Sequence, residues 1–160
     1  MTIHDAREDR FGRSFEQFEV GDVYRHWPGH TVTEAEDHLF CMLTRAASPV
    51  HVDAHYATTE MESRRNMVVG TFVYSLLLGM SVPDTSGKSI AALGTDHLRH
   101  LAPLYHGDTL YGESSVLAKR ASKSRRGVGI VTIETRGHNQ DRTRVCEFQR
   151  SFLVPIKEPS

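Results

Sequence analysis

Apolar positions along the chain change their period once, after about residue 83. Before that point they fall at helical spacing. Ala35, Leu39, Phe40, Met42 and Leu43 form one stripe running to about Arg45. Thr33 and Glu36 have the spacing of a capping box at its start, and Ser48-Pro49 stops it, because a residue before proline avoids the helical region. Asp53 is placed to cap a short helix over Ala54–Glu60. From Val68 to Val82 apolar residues cover nearly the whole circumference, which predicts a helix enclosed on most sides. Pro83 follows its end. Beyond it, Ile90–His97, Thr109–Leu117, Val128–Arg136 and Val145–Val154 read as strands joined by turn-rich stretches, and Val23–Pro28 reads as an earlier strand. In the last strand Cys146, Phe148, Phe152 and Val154 keep a period of two that only Arg150 breaks. Helices first and hairpin strands after imply an α+β fold, one buried helix against an antiparallel sheet.

Composition narrows this to an ordinary globular chain. With 160 residues it fits one domain over 1–160, and residues 1–20 and 156–160 read as loosely held ends. The formal net charge of −1 gives no global field for nucleic acid or an anionic membrane. The stretch Met1 to Arg10 is charged throughout and lacks the apolar core of a signal peptide. The longest apolar run, Met67–Val82, falls short of the roughly 20 residues that span a bilayer. Cys41 and Cys146 have no metal-like spacing and sit in apolar segments, as reduced core residues would. A cytoplasmic protein is expected.

Four blocks carry a resemblance. Ser48-Pro49-Val50-His51-Val52-Asp53-Ala54-His55-Tyr56-Ala57 is similar to the hydratase signature of the MaoC-like family, D-x-N-P-x-H-x-D-x-x-Y-A. Pro103 to Leu110 resembles the family's P-x-x-x-G-D-T-L element. The stretch Lys119–Arg125 through Gly129–Thr132, and Asn139-Gln140-Asp141, also have counterparts in the same order. The opening Gly29–Glu36 resembles the branch that hydrates mesaconyl-CoA and itaconyl-CoA. The resemblance implies a hotdog fold, a sheet curled around one central helix, which the apolar pattern fits. It also implies an acyl-CoA thioester substrate, water added reversibly to a 2-enoyl group, and at least a homodimer with the site between protomers. No cofactor is expected, since coenzyme A is part of the substrate. One departure matters: the family's aspartate, five residues before the histidine, is Ala46 here, and its asparagine is Ser48.

Hydration needs a proton acceptor for water, a proton donor to the α carbon, and a partner for the developing enolate oxygen. His51 is the candidate for proton transfer, because imidazole carries protons near neutral pH. Gly70 matches the family position where backbone N–H groups at the helix start meet the thioester oxygen. Close helix packing is its other reading. The substrate's own carboxylate would be repelled by an aspartate, at about 4 kcal/mol for like charges 4 Å apart at an effective dielectric near 20. Ala46 removes that conflict. Arg45 would then hold the carboxylate and Ser48 the water; the other readings are Arg45 as a cation complementing the helix C-terminus and Ala46 as helix filler. Lys123, Ser124 and Arg125, in the basic run, are candidates for the coenzyme A phosphates, or else a solvated hairpin. Asp53 is read as a helix cap and Asp108 as turn chemistry. No metal site is expected from His51, Asp53 and His55, nor from His97 and His100, which would point to opposite faces. Two other functions fit the same fold: thioester hydrolysis, and a non-catalytic CoA-thioester-binding subunit.

Overall fold

The computed structural model describes residues 11–157; the charged stretch 1–10 and residues 158–160 lie outside the described residues. Six antiparallel strands form the sheet: β1 (Val23–Arg25), β2 (His30–Thr31), β3 (Ala91–His100), β4 (Thr109–Ala121), β5 (Val128–His138) and β6 (Arg144–Pro155). Their order is β1-β4-β5-β6-β3, with β2 also pairing β4. Helices α1 (Glu34–Thr44), α2 (Pro49–Val52), α3 (Ala54–Glu60) and α4 (Gly70–Ser81) fall between β2 and β3. No described helix is long and apolar enough to cross a membrane.

Local chemistry explains most element ends. Thr33 and Glu36 form the expected capping box, with the Thr33 N–H donating to Glu36 Oε2 at 2.8 Å. These bonds hold the Glu36 carboxyl below its ordinary range. Asp53 Oδ1 accepts the Tyr56 N–H at 2.9 Å and caps α3 as expected. Helix α1 stops before Ser48-Pro49 can act, because Arg45 turns left-handed at φ 61°. Pro49 then opens a helix of one turn. The expected strand over Val23–Pro28 is realised only as Val23–Arg25, ending before Pro28, which has no N–H to give a ladder; β2 at His30–Thr31 begins beyond it.

One face of the sheet is buried, and two different covers bury it. Near the start of β6, Val73 and Leu77 of α4 pack on Leu104, Leu110, Val145, Cys146 and Phe148. A side chain at Gly137 would meet Leu77 Cδ1 at 2.5 Å, so glycine is what lets α4 lie this close. Near the end of β6, Phe18 packs on Val116, Val131, Ile133, Phe152 and Val154. Residues 11–20 are therefore not a loose end. Phe18 is fully buried, and a 3-10 turn at Phe15–Gln17 sets it there. At the other end Ile156 is tied by its N–H to Gly127 O at 3.0 Å.

Arg150 keeps the inward alternation after all. It is 7% exposed, donates Nη2 to Ser81 Oγ at 2.8 Å and Thr85 Oγ1 at 3.2 Å, and lies over the Phe152 ring. Burial pulls its pKa down to about 10. Cys41 and Cys146 are buried and unpaired as expected, and burial pushes the Cys146 thiol up to about 11.

Enclosure of the central helix is less complete than its apolar circumference predicts. Only Val73, Leu77 and Ser81 of α4 are buried, and every residue of the edge strand β3 is exposed. The sheet covers one side of the helix and Phe40 of α1 stacks on Phe72 near its start, while among the described residues Thr71, Ser75 and Gly79 stay exposed.

Candidate active site

His51 owes its position to a short, heavily tied segment. It sits in the single turn of α2, with its N–H on Ser48 O at 2.9 Å. Asn66, 7% exposed, donates Nδ2 toward the carbonyls of Pro49, Val50 and Asp53 at 3.1–3.3 Å. The next residue, Met67, gives its N–H to Val50 O and takes a bond from His51 Nδ1 at 2.7 Å. A carbonyl only accepts, so Nδ1 carries the hydrogen and His51 keeps Nε2 for whatever enters beside it.

The start of α4 is fixed just as firmly. Asp37 is fully buried; Oδ1 accepts the Val69 N–H at 3.0 Å, and Oδ2 holds His106 Nε2 at 2.8 Å. Val68 is tied to Leu104 O at 2.8 Å. The first N–H groups of a helix have no partner within it, so the turn beginning at Gly70 offers donors and the positive end of the helix dipole.

A cavity of about 380 Å³ joins these features. His51, Gly70, Val73, His100, Leu104 and Val145 are among its lining residues, and none of the lining residues is Asp, Glu, Lys or Arg. His100 was not expected here. A side chain at Gly70 would meet the His100 ring at 2.9–3.2 Å, so the missing side chain makes room for an imidazole. His97 turns the other way, into a separate cleft beside Arg99, Glu134 and Glu147. The two histidines thus face apart, as expected.

Other residues singled out from the sequence are not brought to the cavity within one chain. Arg45 is an exposed helix end, and Ser48 is exposed at the start of α2. Neither lines the cavity, nor does Ala46. Lys123, Ser124 and Arg125 lie in the exposed β4–β5 turn, closed by the Arg125 N–H on Ser122 Oγ at 3.2 Å. That turn adjoins Val128, which pairs with Pro155, whereas the cavity lies at Val145. Ten residues of extended strand separate the two, on the order of 30 Å. Asp108 serves its turn, accepting the Tyr105 N–H, and also holds Arg65 at 3.1 Å. His51, Asp53 and His55 form no metal-type cluster among the described residues. Glu34, His38 and His106 do bring ligand-type atoms within 4.8 Å of one another, and none of them lines the cavity.

A family model described as mesaconyl-CoA hydratase matches residues 2–160. The chain belongs to the mesaconyl-CoA hydratase family. It is 31% identical over 143 residues to a mesaconyl-CoA hydratase of Cereibacter sphaeroides, covering 89% of this chain and 41% of that protein. A putative MaoC domain protein dehydratase from Chloroflexus aurantiacus superposes with a TM-score of 0.85 at 30% identity, covering 93% of this chain and 42% of that one. The fold also matches a Mycobacterium tuberculosis protein described as a double hotdog fold, with a TM-score of 0.77 at 24% identity and 93% and 47% coverage. The fold is a hotdog, and the chain spans about two fifths of the length of the curated relatives it matches. The family's signature blocks coincide with the ties just described. The histidine block is α2 and α3, and the P-x-x-x-G-D-T-L block is the loop that holds Val68 and closes the cavity.

Proposed function

We propose that the chain is an enoyl-CoA hydratase, adding water reversibly across the double bond of a 2-enoyl thioester. The acyl group is a branched dicarboxylic one of the mesaconyl or itaconyl kind. One observation carries this reading: an oriented imidazole nitrogen and a helix start open into the same cavity, which contains no carboxylate. His51 Nε2 takes a proton from water, and N–H groups at the start of α4 receive the thioester oxygen as it becomes an enolate oxygen. An acyl group that brings its own carboxylate meets no like charge among the lining residues, which suits the loss of the family aspartate at Ala46. Coenzyme A enters as part of the substrate.

The site is completed by a second copy of the chain. The relatives are more than twice as long, and here β3 is exposed over all its residues while α4 is left half covered. Leu93, Leu98 and Leu101, on and just after the edge strand, are exposed apolar residues that a second sheet would bury. A two-fold pairing of β3 with β3 runs the strands antiparallel. The second copy's β4–β5 turn then stands at the cavity's end of the joined sheet, three to four strand widths away, about 15–20 Å. From there Lys123, Ser124 and Arg125 reach the phosphates of a coenzyme A whose acyl end is in the cavity. The unpaired thiols of Cys41 and Cys146 suit a reducing, cytoplasmic setting.

Crotonyl-, mesaconyl- and itaconyl-CoA, incubated with the purified chain and followed by mass, test the reading. Gain of one water by at least one of them is expected, with the dicarboxylic thioesters turning over faster. Release of free thiol without loss of the enoyl absorbance would make the protein a thioesterase. A rise in melting temperature with coenzyme A thioesters, and no turnover, would make it a binding subunit.

A further inference from the structure

Adding water to an enoyl thioester moves two protons at different positions. One leaves the water as its oxygen bonds to the β carbon; another arrives at the α carbon as the enolate collapses. In the cavity only two lining residues titrate, His51 and His100. His51 is oriented through Nδ1, with Nε2 left for the water. His100 ends β3, and its Cε1–Nε2 edge lies closest to Gly70. Its ring nitrogens hold no hydrogen bond to another described residue. An acyl oxygen resting on the start of α4 puts the α carbon one bond from its carbonyl carbon, beside any group packed on Gly70.

We infer that His100 is the second catalytic residue of this site, the proton donor to the α carbon, and so stands in for the aspartate missing at Ala46. This rests on the hydratase reading above and deepens it. In the forward direction neutral His51 accepts a proton from water as the water oxygen bonds to the β carbon, and the π electrons move onto the thioester oxygen. Protonated His100 then gives its Nε2 proton to the α carbon as the enolate electrons form the new C–H bond. One water is consumed, His51 ends protonated and His100 neutral, and exchange with solvent restores both. The reverse sequence is dehydration.

Three variants test this on crotonyl- and mesaconyl-CoA: His100→Phe, His100→Gln and His100→Ala. Turnover of both thioesters should fall about 10²- to 10⁴-fold in each, the contribution typical of one acid–base group. KM should change little, and the melting temperature should stay near that of the parent. Imidazole added to His100→Ala should restore part of the turnover, and it should not help His100→Phe, whose ring fills the space. The role is overturned if His100→Phe turns over crotonyl-CoA at the parent rate. It is overturned equally if the loss falls only on the KM of mesaconyl-CoA, which would make His100 a carboxylate receptor. A parent protein inert toward every enoyl-CoA overturns the hydratase reading and this role together, whereas an active parent with unaffected variants overturns this role alone.

Discussion

Two histidines lie at opposite ends of α4, and the one with the more familiar chemistry is in the wrong place to use it. Beyond the C-terminal end, His26 Nε2 meets Ser114 Oγ at 2.8 Å and Nδ1 meets Asp84 Oδ2 at 2.7 Å. That is the Ser–His–Asp alignment of a nucleophilic triad. Yet Ser114 is fully buried, its oxygen is also engaged by Thr135 at 2.8 Å, and neither it nor His26 lines the cavity at His51. At the N-terminal end His51 has no acidic partner among the described residues, one ring nitrogen engaged and the other left for the cavity it lines. Alignment alone does not mark a site. Hydrogen-bonding capacity left unspent, facing space a substrate can enter, does.

The largest expected effect tests the N-terminal end. His51→Ala should lower turnover about 10²- to 10⁴-fold while the melting temperature changes little, because the partly exposed ring makes one tie to a carbonyl. Steady-state kinetics with circular dichroism melting checks both halves. The comparison breaks if the variant keeps parent turnover, or if it unfolds before activity can be read.

His26→Ala should show the mirror image. It leaves the Asp84 carboxylate without its ring partner, takes one of the two partners of Ser114 and opens a cavity beside Gly112, so stability should fall by about 2–3 kcal/mol. Turnover of the fraction still folded should match the parent. Urea denaturation gives the first number and active-site-normalised kinetics the second.

Why sequence pattern finds one end and misreads parts of the other is a matter of range. Thr33 with Glu36 and Asp53 with Tyr56 act within four residues, so their roles follow from spacing alone. His51 is legible through its block, although its orienting partner, the Met67 carbonyl, has no side-chain signature. His100 is hidden by a register shift between Asp96 and Arg99, where His97 turns left-handed at φ 52° and resets the alternation that would show which way the strand's last residue faces. Phe15 and Phe18 lie in an irregular segment without a period, and only the sheet they cover reveals them as core. Asp37 and Asn66 read as ordinary polar positions, because their partners, Val69 and the α2 carbonyls, come from the tertiary fold. The distance between Lys123–Arg125 and His51 needs the register of β5 on β6, which no local pattern contains.

Gly70→Ala sharpens the comparison with a smaller effect. The new methyl group would sit 2.9–3.2 Å from the His100 ring, which is the end of a side chain and can move. Helix propensity favours alanine over glycine, by up to about 1 kcal/mol in a helix interior and less at a first turn. Stability should therefore hold or rise slightly, while turnover falls roughly tenfold from the displaced imidazole, far less than a group moved by a full ångström could cost. A simple packing role for Gly70 would give the reverse, with lower stability and unchanged turnover.

Ser114→Ala is the smallest change, and it decides what the buried alignment is. Removing the hydroxyl takes one partner each from His26 Nε2 and Thr135 Oγ1 and leaves a space no larger than one oxygen atom. A cost of about 1–2 kcal/mol follows from the lost hydrogen bonds. No catalytic effect should accompany it, because no substrate atom can reach an oxygen fully enclosed between β4 and β5. Kinetics on the mesaconyl and crotonyl thioesters, with free thiol followed in parallel, should overlay the parent for both hydration and hydrolysis. Were thiol release to disappear in this variant, Ser114 would be a nucleophile reached by an opening of the α4 end, and the contrast between the two histidines would reverse. The hydroxyl's position, fully buried and shared between His26 and Thr135, argues for the other outcome: the alignment ties the chain after β1 to β4, β5 and the segment that follows the helix, a structural role apart from the cavity at His51.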